Sequence, residues 1–417
     1  MTASTARRWV ILFIIVALQA FSNISNLIFS SFGPSVIAQF NMTDMGQLAP
    51  LTTLNILPTL FLSILIGNLM DRKGVKWIVC IGLGLTAILM IWRIFADSYT
   101  MLLVITLGIG ICGVPFQVGA AKMLGLWFPR KEMPIAAGFF TVGSGLGSAL
   151  AFFLGAAFPG LTFALTVIAI IAVILALLWF AFVKDRAPVE ASEAGEPPKA
   201  PKHALSLVLK SPTVWKITIM SGLAIGTAFL VNIYMVSSLV AVKGMTEQDG
   251  QLVTGLLNIC LLIGSLAWTF IVRRVAKFNI THATACIGGC VFYLLAWFLP
   301  FGPQTLVFVA LAGLIVSGSI GINNMRVPVL PLTKEFGMEC VATANGLNYT
   351  GVGALAFLTP TIVAMVAGSN ADLVFIINGV LLIVIAVISL TTPELGEKGK
   401  LAAEARGEIP AAEGAAK

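Results

Sequence analysis

Charge is what this 417-residue chain has least of: Asp, Glu, Lys and Arg make up 10% of it, against 58% hydrophobic residues. With a mean hydropathy of +1.00, that scarcity excludes a water-soluble globular fold. Histidine is nearly missing too, with His203 and His282 the two present. With no Ser-His-Asp arrangement, no phosphate-cradling glycine loop and no ligand cluster, enzymatic chemistry, a cofactor and a bound metal have no candidate parts. The six cysteines (Cys80, Cys112, Cys260, Cys286, Cys290, Cys340) lie in apolar runs or at their ends. Cys286 and Cys290 share a helix face, but nothing nearby completes a metal site, so all six read as small buried hydrophobes. Acids are missing from the apolar interior: Asp44, Asp71, Asp97, Glu132, Asp185, Glu247, Asp249, Glu335, Glu339 and Asp372 fall in loops or within about a turn of run ends.

What the chain has in abundance is apolar sequence of membrane-crossing length. About twelve such runs are expected to span, at 9–31, 47–69, 77–96, 100–125, 134–158, 161–182, 213–240, 250–272, 281–299, 305–331, 341–367 and 371–392. Runs of this length satisfy their backbone groups internally and are predicted as helices, not barrel strands, which are shorter and alternate. The first run continues past Arg7 and Arg8 without a small-residue cleavage pattern and is kept as a span. Counting alternate connections, Arg7, Arg8, Arg72, Lys73, Lys76, Arg130, Lys131, Lys184, Arg186, Arg273, Arg274, Lys277 and Lys334 gather on one side. The other side's loops hold Lys243, with Arg93 near a helix end. The positive-inside rule then places both termini in the cytoplasm, and the net charge of +7 reports topology, not nucleic-acid binding.

Between the second and third runs stands Gly67 to Lys76, GNLMDRKGVK, a turn of ten residues that must sit at a membrane surface. Gly67 and Gly74 permit close approach and a tight turn, while Asp71, Arg72, Lys73 and Lys76 cannot enter hydrocarbon unpaired. This stretch resembles the signature loop of the major facilitator superfamily, roughly G-x-x-x-D-R-x-G-R-K. Gly67, Asp71, Arg72, Gly74 and Lys76 match it, and Val75 replaces the usual basic residue.

Residues 184–212, with Pro188, Pro197, Pro198 and Pro201 among charged residues, have too few apolar groups to fold and read as a cytoplasmic linker. Expected organisation is therefore a six-helix half at 1–183, the linker at 184–212, a second half at 213–393 and a solvated tail at 394–417. Sliding the chain by 208 residues pairs Gly110 with Gly318, Gly113 with Gly321, Phe128 with Phe336, Ala136 with Ala344, Gly138 with Gly346, Gly143 with Gly351 and Gly145 with Gly353 without a gap. Duplication of a six-helix unit leaves such a match, and two pseudo-symmetric six-helix halves are the architecture that the resemblance implies. Gly143-x-x-x-Gly147 and Ser144-x-x-x-Ser148 in the fifth span make a small-residue face for close helix approach.

Polar residues inside spans mark either a cavity or a helix contact. In the first span Gln19, Ser22, Asn23, Asn26 and Ser30 fall at offsets 0, 3, 4, 7 and 11, within one stripe about 100° wide. The seventh span offers Thr227, Tyr234 and Ser238, the tenth Ser319, Asn323 and Arg326, and the eleventh Asn345, Asn348 and Tyr349. The resemblance implies that spans one, four, seven and ten line a central cavity. Arg326 is expected to bind a solute's negative group, with snorkelling to the headgroups as its alternative. Lys122 in the fourth span points about 140° away from Gln117, and the sequence leaves open which of the two faces the cavity.

Taken together, these readings give an all-α membrane protein of twelve transmembrane helices. It is expected to be a secondary transporter in a bacterial or archaeal cytoplasmic membrane, monomeric, with a small solute and lipid as partners. With interior cations and no buried acid, the expected solute is an organic anion moved by exchange or by coupling that uses no buried carboxylate. An exporter of amphipathic drugs or neutral solutes is the alternative, and a channel or non-transporting receptor a further one. The Gly67–Lys76 turn is expected to act in gating, with Asp71 accepting hydrogen bonds from a facing helix N-terminus.

Overall fold

The structure, a computed structural model, describes residues 3–128, 132–184, 204–275, 277–326, 330, 335 and 340–395. Among the described residues the regular structure is helical. Helix α1 (Ala3–Ser31) leads to the short α2 (Gly33–Gln39) and α3 (Leu48–Thr53), and α4 (Leu57–Lys73) ends at the Gly74 turn. There follow α5 (Val75–Ile94), α6 (Tyr99–Trp127), α7 (Met133–Ala157) and α8 (Leu161–Phe182), then the short α9 (Ala204–Lys210). The second part comprises α10 (Pro212–Lys243), α11 (Glu247–Val275), α12 (Phe278–Phe298), α13 (Pro303–Arg326), α14 (Val341–Ala367) and α15 (Ala371–Leu390). Among the described residues twelve helices are long and apolar enough to cross a membrane, with α3 and α4 sharing one span, Met45–Met70. The residues at 185–203, most of the expected linker, and those at 396–417, most of the expected tail, lie outside the described residues.

Helix ends follow local chemistry. Gly74 has φ +83°, a backbone conformation that side chains disfavour, and its N–H reaches back 3.0 Å to the Met70 carbonyl, so one residue turns α4 into α5. Ser98 caps α6 by accepting from the Met101 N–H at 3.3 Å.

The chain folds into two compact units, each assembled from segments distant in sequence. Unit 1 joins Met1–Gly195 with Phe229–Ile259 and Phe357–Val374; unit 2 holds Glu196–Ala228, Cys260–Ala356 and Phe375–Lys417. Polar contacts join the segments of unit 1. Glu247 at the start of α11 accepts from the Ser35 backbone N–H at 3.2 Å and the Ser35 hydroxyl at 2.5 Å. Gln251 donates to the Ser31 carbonyl at 3.1 Å, Gln248 to the Ala156 carbonyl at 3.1 Å, and the Met45 N–H to Ser369 at 3.2 Å.

In unit 1, α1 packs against α7 and α8, and α5 against α6 and α8. The expected small-residue face of α7 meets α1 directly. A Cβ on Gly147 would lie 2.3 Å from the Ala20 carbonyl oxygen, and one on Gly143 2.8 Å from that of Val16. In unit 2, the repeat-related Gly351 of α14 meets α10, where a Cβ would lie 2.3 Å from Thr218. The 208-residue match thus recurs as packing: the same glycine sets the fifth span on the first and the eleventh on the seventh.

Candidate functional site

The stripe on α1 opens onto a cavity of about 320 Å³ inside unit 1. Gln19, Ser22, Asn23 and Asn26 line it from α1, Asn55 and Thr59 from the α3–α4 span, and Gln117 from α6. Phe21, Phe116 and Phe229 supply aromatic wall, and no carboxylate is among the lining residues. Asn55 donates through its side-chain amide to the Asn26 amide oxygen, and Asn23 donates to the Gln19 carbonyl at 3.0 Å. The Gln19 Oε1 and Asn55 Oδ1 atoms are buried without a hydrogen-bond partner. Such atoms carry a desolvation cost that a bound solute or ordered water offsets. Ser30 departs from the expected stripe: its hydroxyl lies 2.9 Å from that of Thr52 and holds α1 against α3.

The choice left open in α6 falls to Gln117, which lines the cavity. Lys122 is not among the lining residues, and its ammonium donates to the Gly67 carbonyl at 3.1 Å. The helical angle between the two side chains is the cause.

Arg93, read from sequence as a helix-end residue, is 3% exposed within the bundle. Its guanidinium donates to the Ser25 carbonyl at 3.2 and 3.3 Å and to the Ser25 hydroxyl at 3.1 Å, with the Met90 sulfur at 3.8 Å. The Phe29 ring centroid lies 3.9 Å from the guanidinium carbon, and Nε has no hydrogen-bond partner. Among the described residues no carboxylate comes within ion-pair distance of Arg93. Ser25 and Met90 themselves line the cavity. No periodicity in the sequence brings Arg93 to Ser25; the one signal is a lone cation in an apolar run.

Around the Gly67–Lys76 turn, Arg72 is exposed, and the Asp71 side chain lies outside the described ones. The Lys76 ammonium sits over the Trp77 and Phe180 rings at 5.3 and 5.4 Å, and the Lys76 carbonyl accepts from the Trp179 indole at 3.1 Å. These contacts fix the turn to α8.

The remaining expected ligands are dispersed. Tyr234 is buried in unit 1 away from the lining, its hydroxyl unpartnered. In unit 2, Ser319 lines a small pocket of about 10 Å³ with Thr227, and its carbonyl lies 3.0 Å from His282 Nε2. Asn323 is buried with both amide atoms unpartnered. Asn348 is buried, whereas Tyr349 is 71% exposed, so the two do not act as one face.

Arg326 takes a place that neither sequence reading described. Its guanidinium is fully buried in unit 2, donating to Asn279 Oδ1 at 3.1 Å and Ser389 Oγ at 2.9 Å, with Met220 sulfur at 3.6 Å. Beside it Glu394 accepts from the Phe278 and Asn279 N–H groups at 2.6 and 3.1 Å, a carboxylate on the N-terminus of α12. The donors of Arg326 thus reach side chains at neighbouring helix ends, Asn279 at the start of α12 and Ser389 at the end of α15.

The sequence profile of the Major Facilitator Superfamily matches residues 10–336 of this chain. The "Probable nitrate/nitrite antiporter NarK1" of Thermus thermophilus is 32% identical over 131 residues, 31% of this chain and 29% of that protein, so the match spans under a third of that relative. Among solved structures, a bacterial homologue of the human lysosomal transporter Spinster superposes with a TM-score of 0.80 at 14% identity, covering 94% of this chain and 97% of that one. A point mutant of the nucleoside transporter NupG gives 0.69 at 15% identity, covering 91% and 99%. At such identities these two likenesses establish a common fold.

Proposed function

This chain belongs to the Major Facilitator Superfamily and is a membrane transporter, and from that premise we propose that its cargo is a small anion bound in the cavity of unit 1. The observation that carries this reading is the lining itself: side-chain amides of Gln19, Asn23, Asn26, Asn55 and Gln117 with serine hydroxyls, and no carboxylate. Amide N–H and hydroxyl groups donate to an anion's oxygens, while a cationic cargo lacks an acid to pair with. Nitrate and nitrite, named for the Thermus relative, and small carboxylates fit that chemistry. Exchange of one anion for another needs no buried titrating acid, and such an acid is absent from the lining. Cargo crosses by alternating access, with the Gly67–Lys76 turn as a gating element.

Counterflow in proteoliposomes tests this. Vesicles loaded with nitrate or acetate should accumulate the labelled anion saturably, and Asn26→Ala should raise KM roughly tenfold, the worth of one hydrogen bond to a charged group. The aromatic wall of Phe21, Phe116 and Phe229 favours a second reading, an exporter of amphipathic neutral solutes. Counterflow driven by such solutes and by none of the anions decides for that one.

A further inference from the structure

We propose that Arg93 is the specificity-determining charge of this cavity and restricts its cargo to monovalent anions. The inference rests on the cavity being the cargo site. Arg93 lies one residue from the end of α5 (Val75–Ile94), and every group it touches is neutral: the Ser25 carbonyl and hydroxyl, the Met90 sulfur and the Phe29 ring. No carboxylate among the described residues neutralises it. Buried charges without an opposite charge are costly, and an apolar residue of similar length would fill the same space at lower free energy. The uncompensated charge therefore calls for a counter-ion that is not part of the chain.

Geometry shows where that counter-ion goes. Ser25 and Met90 belong both to the contacts of Arg93 and to the cavity wall, so a single layer of side chain separates the guanidinium from the cavity. Across so short and poorly screened a gap, one unit charge raises the affinity for an anion by roughly tenfold to a hundredfold. Arg93 acts through this wall and through its hold on Ser25, so it is a positioning residue and not a direct ligand. The charge count sets the valence. One guanidinium matches one negative charge; a dianion would bring a second into a lining of amides, hydroxyls and apolar groups that has no further cation.

Binding to the purified full chain in detergent, read as ligand-dependent thermal stabilisation and by calorimetry, tests the proposal with sodium nitrate, sodium acetate, sodium sulfate and glycerol as probes. Wild type should bind nitrate or acetate at least tenfold more tightly than sulfate. Arg93→Met removes the charge while filling the space. Its ligand-free melting temperature should equal or exceed wild type, because an unpaired buried charge is gone, while its affinity for nitrate and acetate falls at least tenfold. Arg93→Lys keeps the charge and should retain affinity within a few fold. A wild type that binds monoanions and an Arg93→Met variant that binds them equally well overturn the role of Arg93 and leave the anion reading standing. Preference for sulfate overturns the valence rule. A wild type that binds none of the three anions overturns the anion reading, and this inference with it.

Discussion

Among the described residues two arginines, Arg93 and Arg326, are buried, and local sequence does not say what either one touches. Arg326 stands out in sequence as a cation inside an apolar span, but its acceptors Asn279 and Ser389 are 47 and 63 residues away, beyond any helical period. Arg93 sits close enough to a span end to pass for a surface residue, and its partner Ser25 is 68 residues away. Periodicity does reveal the α1 stripe, because a lone polar band on an apolar helix is a local signal; four of its five members line the cavity, and the fifth, Ser30, bonds α3 instead. For Arg326 the consequence is structural. Its planar fork reaches two acceptors at once, which an ammonium reproduces poorly. Arg326→Lys should then cost about 1–3 kcal/mol of stability, seen as a lower melting temperature, with anion KM unchanged. A variant of wild-type stability with a raised KM would return Arg326 to the cargo.

At the scale of elements, small-residue spacing in α7 is legible as a contact face, whereas its partner is not, since any helix accepts a glycine face. The structure supplies α1 and makes the approach backbone to backbone at Ala20. Gly147→Val should therefore destabilise by about 1–3 kcal/mol or fail to accumulate, because the added Cβ meets the α1 backbone, which cannot move aside as a side chain can. Gly138, on the same helix, has open space for at least 4 Å around the point where an alanine methyl would stand, so Gly138→Ala should be neutral or gain about 0.4–1 kcal/mol. Equal melting temperatures for the two variants would mean that the α1–α7 contact adds nothing to stability. The twelve spans themselves are readable from length and hydropathy alone, since a helix in lipid leaves its backbone no alternative.

At the scale of the whole molecule, chain order predicts two halves, and each compact unit draws on segments far apart in the chain. Within unit 1, α11 begins with polar residues that bond α1, α2 and α7, and Ser369 bonds the Met45 N–H. Glu247 reads from sequence as one more loop acid, and its partner Ser35 is 212 residues distant. Gly155 belongs to the same contact, since a Cβ there would lie 2.1 Å from the Ser31 hydroxyl and 3.2 Å from Gln251 Nε2. The alternating access proposed above requires such elements to separate in another state, and on that proposal the Glu247–Ser35 pair is expected to act as a latch whose strength sets how often this end opens. Its two hydrogen bonds to a carboxylate contribute about 1.5–3 kcal/mol each when closed, less whatever water restores on opening. Glu247→Ala should shift the closed-to-open equilibrium tenfold or more, and Glu247→Gln, which keeps an acceptor without the charge, by less. Ser31, fully buried behind Gln251 and Gly155, reports the change. A Ser31→Cys substitution in a background without the native cysteines should react with a membrane-impermeant maleimide at least tenfold faster when Glu247 is alanine. Equal labelling rates in the two backgrounds would mean that apolar packing, not the carboxylate, holds this end shut.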